Sequence, residues 1–390
     1  MTRTTSSSLD LDARENQGID TCTTCPKLCR WACPVAEAEA RETTSPWSLV
    51  TLGGLAKHGR APLTALGDLP YHCTHCGACT EACLHKNDVP LWLTLSRSRV
   101  LGAHGAPEAV REIGAHFGLA GNPYGAPLEA ALSQAILEAE VPTARPTPSG
   151  ALVYLPGCTT LAERRESVTA FFRALALHGI TGVATVDASS ACCGLPLFWA
   201  GDLDGFRAHA QRYADRLRDV DTVIVHDPAC AHALQRRYPE VGVTVAPVVL
   251  SVAEFFASRL GLTTLEEARS REGEGKRRAG SVAYFDTCHL ARGLRVVSAP
   301  RRLISHATGG APLELPGSIA LEADCCGAAG LLPASAPGTA AAMAEARIQA
   351  FRQTGAQQLA VMSPRCAAHL SRVDPTVDVV DVVTLLSRFS

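Results

Sequence analysis

Sixteen cysteines in 390 residues fall into two sets of eight that differ in spacing. The first set is dense: Cys22, Cys25, Cys29 and Cys33, then Cys73, Cys76, Cys79 and Cys83. The second is sparse: Cys158, the adjacent Cys192 and Cys193, and Cys230, then Cys288, the adjacent Cys325 and Cys326, and Cys366. Thiolate is the ligand that iron–sulfur clusters require. Two compact quartets and two dispersed ones point to a chain carrying several redox centres.

Cys73-x2-Cys76-x2-Cys79-x3-Cys83 has the spacing of bacterial ferredoxins, in which three close cysteines wrap one corner of a cubane and the fourth serves a neighbouring cluster. Cys22-x2-Cys25-x3-Cys29-x3-Cys33-Pro34 has one extra residue between its second and third members. Exchanging the fourth ligands assigns Cys22, Cys25, Cys29 and Cys83 to one [4Fe-4S] cluster, and Cys73, Cys76, Cys79 and Cys33 to another. Gly77 lets the backbone close around sulfide. Structural zinc is the alternative, but zinc sites usually pair two CxxC knuckles across a longer loop. Here each quartet is contained within twelve residues. The extra residue, and Leu84 where proline commonly follows, leave room for a three-iron centre or a shifted potential.

The sparse cysteines belong to an internal repeat. LPGCTTL matches FDTCHLARG, ACCGLP matches DCCGAAG, and HDPACAHAL matches SPRCAAHL, with corresponding cysteines 130, 133 and 136 positions apart. Each unit has a cysteine after its first strand, a Cys-Cys-Gly, and a cysteine after a later strand. Loops at the carboxyl ends of parallel strands converge on one edge of a sheet, so cysteines spread over seventy residues can meet. Adjacent cysteines point to opposite faces of a regular strand. A turn at Gly194 or Gly327 would let both members of a pair face one site.

The elements that must position these residues follow. Residues 1–20 have little apolar content and read as a disordered tail. Residues 21–105 form a helical domain for two clusters, with VAEAEARETT of helical composition up to Ser45-Pro46 and an apolar helical strip in VPLWLTLSRSRVL. Residues 106–149 continue as helix (PLEAALSQAILEAEV) and end in the proline-rich linker PTARPTPSG. Residues 150–262 alternate strands ALVYL, VATV and TVIVH with helices ESVTAFFRALALHG and DGFRAHAQRYADRLRD, the signature of βαβ units. Residues 263–280 are a charged linker. The pattern restarts over 281–390 with strands SVAYFD and QLAVMS and helices RVVSAPRRLISHA and TAAAMAEARIQAFRQTG. The expected fold is α + α/β: a helical two-cluster ferredoxin domain, then two pseudo-symmetric Rossmann-like cysteine-rich modules with their cysteine loops facing one another.

Composition narrows the function classes. Hydrophobic residues make up 47% and charged residues 19%, enough to bury substantial cores, and the net charge of −2 gives no preference for nucleic acid or anionic membrane. No secretory signal is recognised at the start, and no apolar run approaches the roughly 20 residues of a spanning helix. Sixteen cysteines then read as metal ligands in a reducing cytoplasm rather than as disulfides. There is no GxGxxG after a strand, no GxxxxGK[ST] and no GxSxG, so the chain shows no flavin, nucleotide or acyl-transfer motif.

The dicluster spacing together with two Cys-Cys-Gly modules resembles the heterodisulfide reductase family, as a fusion of its small two-cluster subunit with its cysteine-rich catalytic subunit. The iron–sulfur subunits of glycolate oxidase, anaerobic glycerol-3-phosphate dehydrogenase and lactate utilisation systems are similar. The resemblance spans residues 20–390. It implies an iron–sulfur oxidoreductase subunit that moves electrons between a flavoprotein partner and a site in the modules, with Cys288, Cys325, Cys326 and Cys366 as catalytic candidates and one or two further clusters held there. The family ends each module in Cys-x2-Cys, whereas here Ala233 and His369 occupy the last position. His369 is therefore a candidate metal ligand, and disulfide reduction gives way to electron transfer as the first reading. Reduction of a disulfide at the module cluster, and a zinc or metal-free scaffold, are the alternatives. His226, His232 and His289 beside the module cysteines read as donors around a cluster. His72, His75 and His85 read as solvated or local donors. Arg292, Arg301 and Arg302 read as a solvated helix face, with contact to an anionic substrate as the alternative.

Overall fold

The computed structural model describes residues 8–104, 106–141, 150–185, 192–262 and 281–388. The expected linkers, PTARPTPSG apart from its terminal Gly150 and all of 263–280, lie outside them. Among the described residues no helix is long and apolar enough to cross a membrane.

The N-terminal part is helical. Helices Ser8–Thr24, Pro46–Lys57 and Val89–His104 pack on one another, with Cys22 in the last turn of the first and the other dense cysteines on the turns and short helices between them. Ser45 caps the second of these, its hydroxyl accepting the Ser48 N–H, with Pro46 in the first turn where no donor is lost. The reading of 1–20 as a disordered tail is corrected for residues 8–20, which are helical; residues 1–7 lie outside the described residues. What holds this polar helix is a buried charge, a feature that low apolar content conceals. Glu15 is 2% exposed and pairs with both Arg99 (2.5 Å) and Lys57 (2.8 Å), while Asn87 Nδ2 donates to the Gly18 carbonyl (2.9 Å). Helices Glu108–Ala120 and Glu129–Ala139 then lead to the α/β part.

That part is two parallel sheets of the same topology. Strands β1 (Gly150–Leu155), β2 (Ala184–Thr185), β3 (Val220–Val225) and β4 (Val248–Ser251) lie in the order β2-β1-β3-β4. Strands β5 (Val282–Tyr284), β6 (Leu313–Glu314), β7 (Gln358–Val361) and β8 (Val379–Asp381) lie in the order β6-β5-β7-β8. All pairings are parallel, with Leu155 opposite Val225 and Tyr284 opposite Ala360. The expected α plus α/β architecture is what the chain adopts. The edge strands β4, β6 and β8 have only two to four residues each, too short for alternation to reveal them.

The modules share a core. Helix Arg165–Leu177 packs on Val382–Leu386, and Val252–Arg259 on Ser298–Thr308, so Phe171, Phe256, Leu303 and Leu385 are fully buried in one cluster. A second link is polar: the Tyr154 hydroxyl meets His226 Nδ1 at 2.6 Å, and His226 Nε2 meets Asp381 at 2.9 Å, so strand ends of both modules join in a buried chain. The helical domain docks across both modules through Arg97, which is fully buried. Its guanidinium donates to the carbonyls of Pro70 (2.8 Å) and Cys73 (2.8 Å), of Trp199 in the first module (2.6 Å) and of Gly330 in the second (3.0 Å).

Candidate iron–sulfur relay

The dense cysteines line two cavities. One is bordered by Cys22, Cys25, Cys29 and Cys83 under Trp47 and Val89; the other by Cys33, Cys73 and Cys76 under Leu49 and Leu93; Cys79 borders both. Left-handed residues between the ligands, Lys27 (φ 65°), His75 (φ 57°) and Gly77 (φ 74°), turn the backbone so that N–H groups face sulfur. The N–H groups of Lys27 and His75 donate to Cys25 Sγ (3.2 Å) and Cys73 Sγ (3.3 Å), and Asn87 Nδ2 donates to Cys22 Sγ (3.2 Å). Such donors stabilise the extra charge of a reduced cluster. Gly77 takes a left-handed φ that side chains rarely adopt.

Burial pushes the Cys22 and Cys33 thiols up to about 12 and raises Cys29, Cys73 and Cys79 as well. Thiols raised by burial around an apolar cavity ionise readily only with a polycation among them, a donor set that fits a cubane cluster. Mononuclear zinc instead needs ligands about 2.3 Å from one point.

The sparse cysteines converge at the carboxyl ends of the strands, all of them 7% exposed or less. Gly194 (φ 76°) and Gly327 (φ 88°) make the left-handed turns that the Cys-Cys-Gly motif requires, and their N–H groups reach back to Cys192 Sγ and Cys325 Sγ, both at 3.4 Å. The repeat is matched in the geometry of its thiols. Cys193 and Cys230 sulfurs lie 3.1 Å apart, as do those of Cys326 and Cys366. In the first module the neighbouring Cys192 thiol holds Cys158 below the usual thiol range. In the second, the neighbouring thiols of Cys288, Cys326 and Cys76 hold Cys325 well below the usual thiol range. Cys76 belongs to the second dense quartet, so the helical domain packs against the second module beside its cysteines.

Two further residues near these thiols, and the docking residue Arg97, escaped the sequence reading. Arg365, beside Cys366, crosses to the first module; burial acts to lower it, but Asp227, Cys158 and Cys230 of that module and Tyr124 of the preceding helical segment raise it. Trp199 lies between the modules, under the Arg365 guanidinium (5.2 Å) and 6.1 Å from His289. Arg365 carried one signal, an arginine beside a repeat cysteine where the first unit has Ala229.

The structure revises some of the histidine and arginine readings, those of His226, His75, Arg292 and Arg301. His369 Nε2 bonds the Ala340 carbonyl (3.1 Å), and its Nδ1 is buried without a partner; Ala233 opens a π-helical turn, Ala233–Arg237. His226 serves the module junction and not a thiol. His289 Nδ1 is 3.5 Å from Cys288 Sγ. His72 bonds Glu39 (2.5 Å) and His85 is exposed, but His75 is 5% exposed and not solvated. Nor do the arginines form a solvated face. Arg301 pairs with Asp286 and Glu314, Arg302 donates to Ser298, and Arg292 is 7% exposed. Burial favours neutral rings, taking His75 and His232 well below the usual value and His289 to about 4.

Comparison with known families agrees with this layout. Residues 18–87 match the 4Fe-4S dicluster domain, and residues 152–235 and 282–371 each match the cysteine-rich domain named for its Cys-Cys-Gly motif. The chain is an iron–sulfur protein of the oxidoreductase class, built from a dicluster domain and a tandem of cysteine-rich domains.

Its homologues include one subunit of the fumarate reductase (CoM/CoB) of Methanothermobacter marburgensis. They also include one subunit of the dihydromethanophenazine:CoB–CoM heterodisulfide reductase of Methanosarcina barkeri. The first is 24% identical over 92% of this chain and 68% of that protein, the second 25% identical over 93% and 90%. Lactate utilization protein A of Oceanobacillus iheyensis is 24% identical over 51% of this chain and 82% of its own length. The first two are thus named as parts of larger enzymes.

Proposed function

We propose that this chain is a cytoplasmic electron-transfer subunit that takes electrons from, or delivers them to, a flavoprotein dehydrogenase partner. Two [4Fe-4S] clusters would be held by Cys22, Cys25, Cys29 and Cys83 and by Cys73, Cys76, Cys79 and Cys33. The module cysteines would hold further iron–sulfur centres: Cys158, Cys192, Cys193 and Cys230 in the first, and Cys288, Cys325, Cys326 and Cys366, with His369 as an added candidate ligand, in the second. Bound clusters would supply one-electron storage and transfer. The protein's share is to bury the thiols, direct N–H groups at sulfur, and fix the distance between centres. The observation that supports the reading is the packing of Cys76, from the dicluster domain, against the buried cluster that contains Cys288 and Cys325 of the second module.

The test is iron and acid-labile sulfide per chain after anaerobic reconstitution. More than about eight irons, approaching twelve to sixteen, supports loaded modules; about eight leaves them as scaffold and removes the terminal site. A second reading, reduction of a disulfide at the second module, draws on its four adjoining thiols and on the relatives named heterodisulfide reductase. Oxidation of the prereduced chain by a small disulfide would favour it.

A further inference from the structure

A cleft of about 290 Å³ opens where all three units meet. The helical domain contributes His75, Cys76 and Asp88, the first module His232 and Arg237, and the second Cys288, His289 and Arg292. Its module walls are the two π-helical turns, Ala233–Arg237 and His289–Gly293, each immediately after a module cysteine segment. π-Helical turns are rare and concentrate at functional sites.

The charges in this cleft do not balance among themselves. Every acid is engaged: Glu81 with Lys86 (3.0 Å) and Arg295 (2.7 Å), Asp88 with Arg237 (2.7 Å), and Glu240 with Arg14 (2.8 Å). Arg292 is a buried cation with no carboxylate. Its Nε donates to the Cys76 carbonyl (2.8 Å) and its Nη1 to the carbonyls of Leu321 (3.2 Å) and Ala323, while Nη2 is buried with no partner. Beside it, both ring nitrogens of His75 and the Nδ1 of His232 are also buried without partners. The Cys76 and Cys288 thiols explain a nearby positive charge, but they leave these three sets of polar atoms unused. Unpaired buried polar groups each cost about 1–3 kcal/mol, so a cleft lined with them is built for a ligand that supplies acceptors.

We propose that this cleft binds one small organic carboxylate, held by Arg292 Nη2 and by ring N–H groups of His75 and His232. Arg292 is the buried guanidinium of this cleft that meets no carboxylate, and it matches a single negative charge; Arg236, also without a carboxylate, is exposed at the rim. The volume is at the small end for ligand pockets and suits a short-chain acid. The site goes beyond the relay reading, since it is defined by side chains that hold no cluster.

Calorimetric titration of the full, anaerobically reconstituted chain at fixed ionic strength tests it, with acetate, lactate and succinate against inorganic phosphate. At least one of the acids should saturate at one site per chain. Arg292→Gln should weaken it by about tenfold or more and His232→Gln by about threefold or more. Arg372→Gln, at the repeat position that corresponds to Arg236 but outside the cleft, should leave affinity unchanged. Arg292→Gln also gives up three carbonyl contacts, so its melting curve and iron content are measured alongside. If it misfolds, His232→Gln carries the test. The proposal is overturned if none of the acids saturates, if phosphate binds as tightly as the best of them, or if a correctly folded cleft variant binds as the parent does. Iron content on the same samples separates a failure to load clusters from a failure to bind.

Discussion

The Cys76 side chain, in the second dense quartet, packs against the buried cluster that contains Cys325 of the second module's Cys-Cys-Gly turn. These residues are 249 positions apart in sequence. The contact depends on the Arg97 guanidinium, which ties the Cys73 carbonyl to the Gly330 carbonyl, and on a bare backbone at Gly330. Docking of the helical domain on the second module is thus what brings a dicluster ligand to a module thiol.

Gly330 has φ +67°, and a Cβ there would lie 2.2 Å from the Cys73 carbonyl oxygen. Gly330→Ala should destabilise the chain by at least about 2 kcal/mol and separate the second module from the quartet. Gly338, in the Pro337–Gln353 helix, has ordinary φ and nothing within 4 Å of an added Cβ. Gly338→Ala should be neutral or stabilising by about 0.5–1 kcal/mol. Urea midpoints of the two variants check the contrast.

Arg97→Met keeps the length of the side chain but leaves four buried carbonyls without their donor. A loss of about 3 kcal/mol or more is expected in a denaturant titration. Arg97→Lys should recover only part of it, because an ammonium cannot span acceptors in three units as a planar fork does.

Ligand exchange between the quartets is separable by spectroscopy. Cys83→Ser should perturb the same cluster signal as Cys22→Ser, and Cys33→Ser the same signal as Cys73→Ser, in EPR spectra of the reduced chain. If Cys83→Ser groups with Cys73→Ser, each quartet keeps its own four ligands.

Burial acts to raise the Asp88 carboxyl, but the Arg237 guanidinium outweighs it and holds the group below the usual range. A depressed carboxylate stabilises the fold above its unfolded value of about 3.9, and that contribution is lost as pH falls through the lower folded value. Melting temperature should therefore drop below about pH 4 in the parent, and this component of the drop should be absent in Asp88→Asn. At neutral pH Asp88→Asn should cost about 3 kcal/mol, since it strands a buried arginine while Asp88 itself is partly exposed.

Much of this was legible in the cysteines. The repeat offset implied two like modules, and Cys-Cys-Gly implied the left-handed turns found at Gly194 and Gly327. What stayed hidden depends on tertiary pairing. Glu15 looks like a solvated acid until Arg99 and Lys57 arrive from helices further along the chain. His75 and Arg292 look like surface residues because only the meeting of three units buries them. His226 resembles a cluster neighbour, yet its partners are Tyr154, 72 residues away, and Asp381, 155 residues away.

A direct path from the second dense quartet to the second module is the central claim. EPR of the reconstituted, dithionite-reduced chain tests it, compared with Cys325→Ser and Cys158→Ser. The expected result is a cluster signal split or broadened by a neighbouring spin, with the interaction lost in Cys325→Ser and kept in Cys158→Ser. Identical spectra in all three proteins, with about eight irons per chain, would contradict it.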